Sequence, residues 1–114
     1  MIESLLSPKT KEQVLIFLAG RKEGYAREIA KYYDISLSPI QNQLANLEEA
    51  GIIFSRNAGK TILYQLNPRY PFYKELLALL EKAISFMPEN EKEKLLMNRK
   101  RPRRKGKSKI EISC

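Results

Sequence analysis

Several residue types that enzymes and metal sites depend on are missing or nearly missing from this chain of 114 residues. It has no histidine and one cysteine, Cys114, and Asp34 is its single aspartate. The commonest metal ligand and the commonest general base are therefore absent. One cysteine can form no disulfide within the chain, and one aspartate can form no aspartate pair on a metal. The composition argues against an enzyme and predicts no metal site and no other cofactor.

Long apolar segments are missing as well. The longest, residues 14–19 and 76–80, are far shorter than the roughly 20 residues that a membrane-spanning helix needs, and no signal-peptide pattern opens the chain. We therefore expect a cytoplasmic protein without a membrane partner. With 43% hydrophobic residues, the chain can bury the core of one compact domain.

Positive charge is concentrated at the end of the chain. Residues 1–98 hold 13 lysines and arginines against 12 acidic residues, whereas the last 16 residues hold eight against one. A nearly neutral domain with a strongly cationic end indicates a polyanionic partner, most often nucleic acid and less often an anionic membrane.

Local signals predict the order helix, helix, helix, β-hairpin, helix. Thr10 and Gln13 have the spacing of a capping box, Asp34 suits a tight turn, Ser36 suits an N-cap, and Gly51 suits a helix end. Two β-rich segments flank a polar tip that contains a glycine. We expect helices over 10–19, 25–33, 37–50 and 72–86, and strands over 52–56 and 61–66.

The composition changes near residue 88 and divides the chain into two parts. Residues 1–87 are predicted to form one folded domain. Residues 88–114 are predicted to form a charged extension, helical over 89–97, followed by a basic tail that is disordered when free.

The third predicted helix has two different faces. Ile40, Leu44 and Leu47 lie within about 60° of one another on a helical wheel and form a buried stripe. The other side is polar and uncharged, and its residues suit contacts with base edges, because Asn and Gln pair with adenine and Ala can touch a thymine methyl group. The candidates for base reading are Ser36, Ser38, Pro39, Gln41, Asn42, Ala45 and Asn46. The alternative is that these side chains only solvate an exposed helix.

Phosphate contacts must come from other segments, since this helix carries no lysine or arginine. The second helix and the hairpin, or wing, offer five candidates: Arg27, Arg56, Asn57, Lys60 and Thr61. The tail adds Arg101, Arg103 and Arg104, which could enter a minor groove. The alternative for the tail is a solubilising end without a defined site.

Three segments carry a resemblance to a known class of protein. Residues 26–30 (AREIA), 35–44 (ISLSPIQNQL) and 47–53 (LEEAGII) resemble the helix-turn-helix of ArsR-like and MarR-like winged-helix regulators, and the match covers about residues 8–86. Residues 64–73 (YQLNPRYPFY) are similar to ArsR-like proteins found alone or joined to minimal nucleotidyltransferase domains. The resemblance implies a winged helix-turn-helix fold with a three-helix core, a two-stranded wing and a C-terminal dimerisation helix.

The resemblance also implies a dimeric regulator that binds double-stranded DNA. This chain departs from the family pattern in two ways, and both limit what the resemblance implies. Metal-sensing members hold their ion with cysteine and histidine pairs, and fused members need paired aspartates; this chain has neither. No effector ligand is indicated.

The last predicted helix has apolar residues on two adjoining faces, more than a small domain usually buries. We expect it to build a two-fold homodimer, with the interface formed by Phe72, Tyr73, Leu76, Leu77, Leu80 and Ile84. The alternative is that this helix wraps its own core.

Together these patterns predict a sequence-specific, homodimeric DNA-binding regulator, most simply a repressor. Two alternatives stay open. Winged helices also serve as protein-interaction adaptors. The absence of lysine and arginine from the polar face of the third helix would suit that role. A nonspecific nucleic-acid binder would depend on the basic tail alone.

Overall fold

The computed structural model describes residues 8–97, which form five helices and three strands. In chain order these are α1 (Lys9–Arg21), β1 (Gly24–Tyr25), α2 (Ala26–Tyr33), α3 (Leu37–Glu49), β2 (Ile53–Ala58), β3 (Thr61–Leu66), α4 (Tyr73–Ser85) and α5 (Glu89–Met97). Within residues 8–97, no helix has the length and hydrophobicity of a membrane span.

Helix α1 is the centre of the packing. It contacts α3, α4, α5 and β3, and all six residues from 14 to 19 are buried. The predicted capping box is wrong, because α1 begins at Lys9 after Pro8 and Thr10 therefore lies inside the first turn. The helix also continues through Gly20 to Arg21, beyond the predicted end, because its last turn packs against other elements instead of facing solvent.

Helices α2 and α3 form the predicted helix-turn-helix. Asp34 adopts the left-handed conformation (φ 56°, ψ 49°), and the Ile35 N–H donates to the Ala30 carbonyl oxygen at 3.0 Å. Ser36 occupies the N-cap position of α3, although its side chain makes no capping hydrogen bond. The buried stripe of α3 is as predicted: Ile40, Leu44 and Leu47 all face the core.

The wing is the hairpin of β2 and β3, closed by a two-residue turn at Gly59 and Lys60. The last residue pair is Ala58 with Thr61, and Gly59 has φ 69°, which favours glycine. The prediction of a two-stranded sheet was incomplete, because β1 pairs with β3 and gives the order β1-β3-β2. A strand of two residues is too short for an alternation pattern to reveal it.

Helices α4 and α5 both pack on α1. Leu95 of α5 is fully buried and lies over Gly20, where an added Cβ atom would sit 2.6 Å from the Leu95 Cδ2 atom. Gly20 thus makes room for α5, and the packed core continues into residues that the sequence assigns to an extension.

The phenol of Tyr33 gives a pH test of the packing around α2. Burial, with neighbouring Tyr32 and Glu12, raises the pKa of Tyr33 above its usual value of 10.0. Its stabilising contribution is complete below pH 10 and is lost as pH rises above 10, since the unfolded chain then releases a proton that the folded chain retains.

We expect the urea concentration at the unfolding midpoint to decrease as pH rises from 10 to 11.5. In Tyr33→Phe we expect this decrease to be smaller. Tyr70→Phe, which removes a phenol from the loop before α4, is the control. An equal fall in wild type and Tyr33→Phe would show that this phenol is not buried as described.

Candidate nucleic-acid interface

One face of α3 makes no contact with the core and is open to a partner. Ser38, Gln41, Asn42, Ala45 and Asn46 are exposed. Pro39, in the first turn, and the N-cap residue Ser36 flank this face; Pro39 is half-buried and Ser36 is exposed. The face has hydrogen-bonding groups but no formal charge, so its chemistry suits base edges better than phosphates.

A groove joins this face to α2 and to the wing. It has a volume of about 420 Å³, and four of the predicted site residues line it: Arg27 from α2, Gln41 from α3, and Lys60 and Thr61 from the wing. Tyr25 and Ile62, both exposed, supply apolar surface in the same groove. Residues that are distant in sequence therefore meet at one site, which holds two cations, one residue of the exposed α3 face and the Glu28 carboxylate, which pairs with Arg21.

The wing cations differ in their surroundings. Arg56 lies 3.5 Å from the Glu23 carboxylate, which also accepts a hydrogen bond from the Gln65 side chain at 3.3 Å. The Arg56 side chain is still 52% exposed, so the Glu23 carboxylate partly offsets the local positive potential without covering the guanidinium group. Lys60 and Asn57 are exposed, and the Thr61 hydroxyl donates to the Ala58 carbonyl oxygen across the turn.

Glu48 and Ser55 join the wing to α3 by a hydrogen bond, and sequence reasoning missed both. The Ser55 hydroxyl donates to the Glu48 Oε2 atom at 2.6 Å. Because Glu48 lies near the end of α3 and Ser55 in β2, this hydrogen bond connects the helix to the hairpin at the surface. A serine and a glutamate seven residues apart give no signal of such a pair before the fold is known.

Arg21 was also missed. It is the one charged or polar residue that residues 8–97 bury, with 4% of its surface exposed. In the sequence it follows Gly20 at the predicted end of a helix, where an arginine would usually face solvent. It contacts Glu28 of α2 and the Leu95 carbonyl of α5.

The predicted dimer residues separate into two groups. Leu80 and Ile84 are buried in the chain's own core at 0% and 7% exposure, so they must be removed from the predicted interface. The reason is that α4 packs this face on α1, as the alternative reading of the helix expected. Phe72 precedes α4 and is 62% exposed, while Tyr73, Leu76 and Leu77 are half-buried.

Two apolar grooves border the buried face of α4, one on each side. One, of about 340 Å³, is lined by Phe72, Leu76 and Leu79 together with residues of α1 and α3. The other, of about 240 Å³, is lined by Tyr73 and Leu77 together with residues of α1 and the sheet.

The remaining site predictions concern metals and the tail. Within residues 8–97 no group of three or more potential metal-binding side chains comes together. Arg101, Arg103 and Arg104 lie outside the described residues.

The arrangement of three helices, a turn and a wing defines a winged helix-turn-helix protein, which confirms the predicted fold class. No family model matches the chain. Over 66 residues it is 30% identical to the arsenic resistance transcriptional regulator ArsR1 of Pseudomonas putida, which covers 58% of this chain and 52% of ArsR1. The chain therefore spans about half the length of this curated relative. At 30% identity over that half, the resemblance to ArsR-like regulators is confirmed.

Solved structures share the fold. MepR, a transcription regulator of the Staphylococcus aureus multidrug efflux pump MepA, has a TM-score of 0.55 at 17% identity and covers 85% of this chain and 78% of its own. The apo form of a double mutant of Lactococcus lactis ZitR has a TM-score of 0.52 at 21% identity, with coverage of 76% and 74%. At these identities the similarity establishes the winged-helix fold of this chain.

Proposed function

We propose that this protein is a sequence-specific regulator of transcription that binds double-stranded DNA. The observation that carries the proposal is the shared site of α2, α3 and the wing. There the uncharged reading face of α3 adjoins a groove that contains Arg27 and Lys60. Base-reading groups and phosphate-binding groups on one side of a winged helix are what duplex recognition requires.

Sequence would be read by the exposed face of α3 in the major groove. A helix fits the width of this groove, and the amides of Gln41 and Asn42 can pair with the two adenine edge atoms there. Ser38 can donate to or accept from either base type, and Ala45 can contact a thymine methyl group. The target is therefore expected to be rich in A·T pairs at the positions that α3 contacts.

Affinity would come from cations outside α3. Arg27 and Lys60 flank the reading face, Arg56 lies in the wing, and the tail contributes eight lysines and arginines. Each phosphate contact releases counterions from the DNA, so binding would weaken steeply with salt. The transcriptional regulators ArsR1 and MepR support a role in transcription.

We propose further that the active form is a homodimer built on the apolar residues that border the buried face of α4. Exposed Phe72 and Leu79, with half-buried Tyr73, Leu76 and Leu77, provide the apolar surface. A two-fold axis there would place two α3 helices about 34 Å apart, the spacing of successive major grooves on one side of a duplex. Occupation of a promoter by such a dimer would repress transcription.

Replacing Lys60 with alanine tests the role of the groove. We expect affinity to fall for all duplexes alike. The slope of log K against log salt should become shallower by about 0.9 for each phosphate that the variant no longer neutralises. Fluorescence anisotropy from 50 to 200 mM salt measures both quantities.

Lys82→Ala, an exposed lysine of α4, is the matched control and should leave the slope unchanged. A wild-type slope in Lys60→Ala would remove the groove from the binding surface. Wild-type protein that shows no preference among duplexes would favour the adaptor or the tail-driven binder.

A further inference from the structure

Buried Arg21 stands outside the proposed DNA-binding surface, yet it joins three helices. Its side chain is 5% exposed and carries a full charge, which is costly to bury without partners. The residues that satisfy this charge come from α2 and α5, which are far apart in the sequence.

The first partners are backbone carbonyl groups of α5. The Arg21 Nε atom donates to the Leu95 carbonyl oxygen at 2.8 Å, and Nη2 donates to that of Lys94 at 3.3 Å. Both carbonyls belong to the last turn of α5, where the helix supplies no partner and carries the negative end of its dipole. Arg21 therefore caps α5 from a different helix.

The second partner is at the start of α2. The Arg21 Nη1 atom lies 3.4 Å from the Glu28 Oε2 atom, and the other oxygen of this carboxylate accepts the Tyr25 N–H at 3.2 Å. Tyr25 is the N-cap residue of α2, and Glu28 lies in the first turn. Arg21 and Glu28 thus connect α5 to the N-terminus of α2, where Arg27 lies.

Aromatic rings hold the guanidinium group in place. Its central carbon lies 4.7 Å from the Phe17 ring centroid and 4.9 Å from that of Tyr32, within the range of cation–π attraction. The same Tyr32 ring has the Lys94 ammonium 5.3 Å from its centroid. The planar, five-donor group of arginine fits this site, and a lysine could not make the same three polar contacts.

We propose that Arg21 is a positioning residue for DNA binding, which fixes the N-terminus of α2 by linking it to the docked helix α5. The proposal rests on the DNA-binding function proposed above. Tyr25, Arg27 and Glu28 all line the groove beside α3, so a shift at the start of α2 changes that groove. Docking of α5 and binding of DNA then favour each other by the same factor. The C-terminal helix becomes part of the DNA-binding unit, although it lies outside the helix-turn-helix and the wing.

The experiment weakens the docking of α5 and measures DNA binding and the N-terminus of α2. Leu95→Ala weakens the docking of α5 over Gly20, and Val14→Ala, another fully buried aliphatic position, is the control for reduced stability. Both are made in the full chain, alone and combined with Arg21→Met. Readouts are affinity for the duplex that wild type prefers and hydrogen exchange of the Tyr25 amide without DNA.

We expect Leu95→Ala to weaken DNA binding by about ten-fold and to accelerate exchange at Tyr25, whereas Val14→Ala changes neither at temperatures where both variants are folded. In the Arg21→Met background, Leu95→Ala should have no additional effect, because the link is already broken. If Arg21→Met does not fold, Glu28→Gln takes its place, and the same loss of coupling is expected.

Three results would overturn the inference: wild-type affinity in folded Leu95→Ala, the same loss in Val14→Ala, or effects of Leu95→Ala and Arg21→Met that multiply. If any of these occurs while wild type still prefers particular duplexes, the DNA-binding proposal is supported, but the positioning role of Arg21 is contradicted. If wild type binds no duplex, the DNA-binding proposal falls with the positioning role, and exchange at Tyr25 then shows whether the link itself exists.

Discussion

Phe17→Ala is expected to lower the free energy of unfolding by about 3–5 kcal/mol, the usual cost of removing a fully buried aromatic ring. The Phe17 ring is 0% exposed and meets Tyr32 and Tyr33 edge-on, with centroids at 5.5 and 6.5 Å. It also supports the guanidinium group of Arg21. Small domains have about 5–15 kcal/mol of stability, so this variant should be close to unfolding at 37 °C.

Urea unfolding followed by circular dichroism measures the loss. Phe54→Ala, which removes a ring that is 36% exposed, is the control and should cost much less. A cost for Phe17→Ala no greater than that of the control would contradict the packing of α1 against α2.

Asn42→Ala has the largest expected effect on recognition. We expect it to reduce discrimination at one base position in each half-site by about 1–3 kcal/mol, since a bidentate amide–adenine pair has that value. A homodimer contacts two half-sites, so both positions should relax together. The reason is geometric: Asn42 is exposed on the side of α3 opposite Ile40, Leu44 and Leu47.

The measurement compares affinities for the preferred duplex and for a set with each base pair changed in turn. Glu49→Ala, exposed at the C-terminal end of α3, serves as the control and should keep the wild-type preferences. Unchanged preferences in Asn42→Ala would show that α3 meets DNA with another face, or not at all.

The helix-turn-helix could be predicted because its signals are local. The spacing of Ile40, Leu44 and Leu47 fixes the buried side of α3, and the turn at Asp34 depends on a residue that tolerates the left-handed conformation. The exposed face then follows by elimination, and the structure leaves it exposed. The use of this face in binding DNA is a proposal that the variants above test.

Long-range contacts could not be predicted in the same way. Arg21 meets the carbonyl of Leu95, 74 residues away, and no periodicity in either segment indicates that pairing. The same limit applies to β1, which is a strand only because it pairs with β3. It also applies to the hydrogen bond between Ser55 and Glu48. In α4 the apolar residues at 80 and 84 pack on α1, because the sequence shows how much apolar surface a helix has but not which element covers it.

Selection of bound sequences from a random duplex library, with the full chain at physiological salt, decides whether α3 reads DNA sequence. We expect one enriched palindromic motif whose half-sites are centred about 10 base pairs apart. That result would establish a dimeric reader of DNA sequence. A pool without any enriched motif, even where the protein retains duplexes, would contradict sequence-specific recognition by α3.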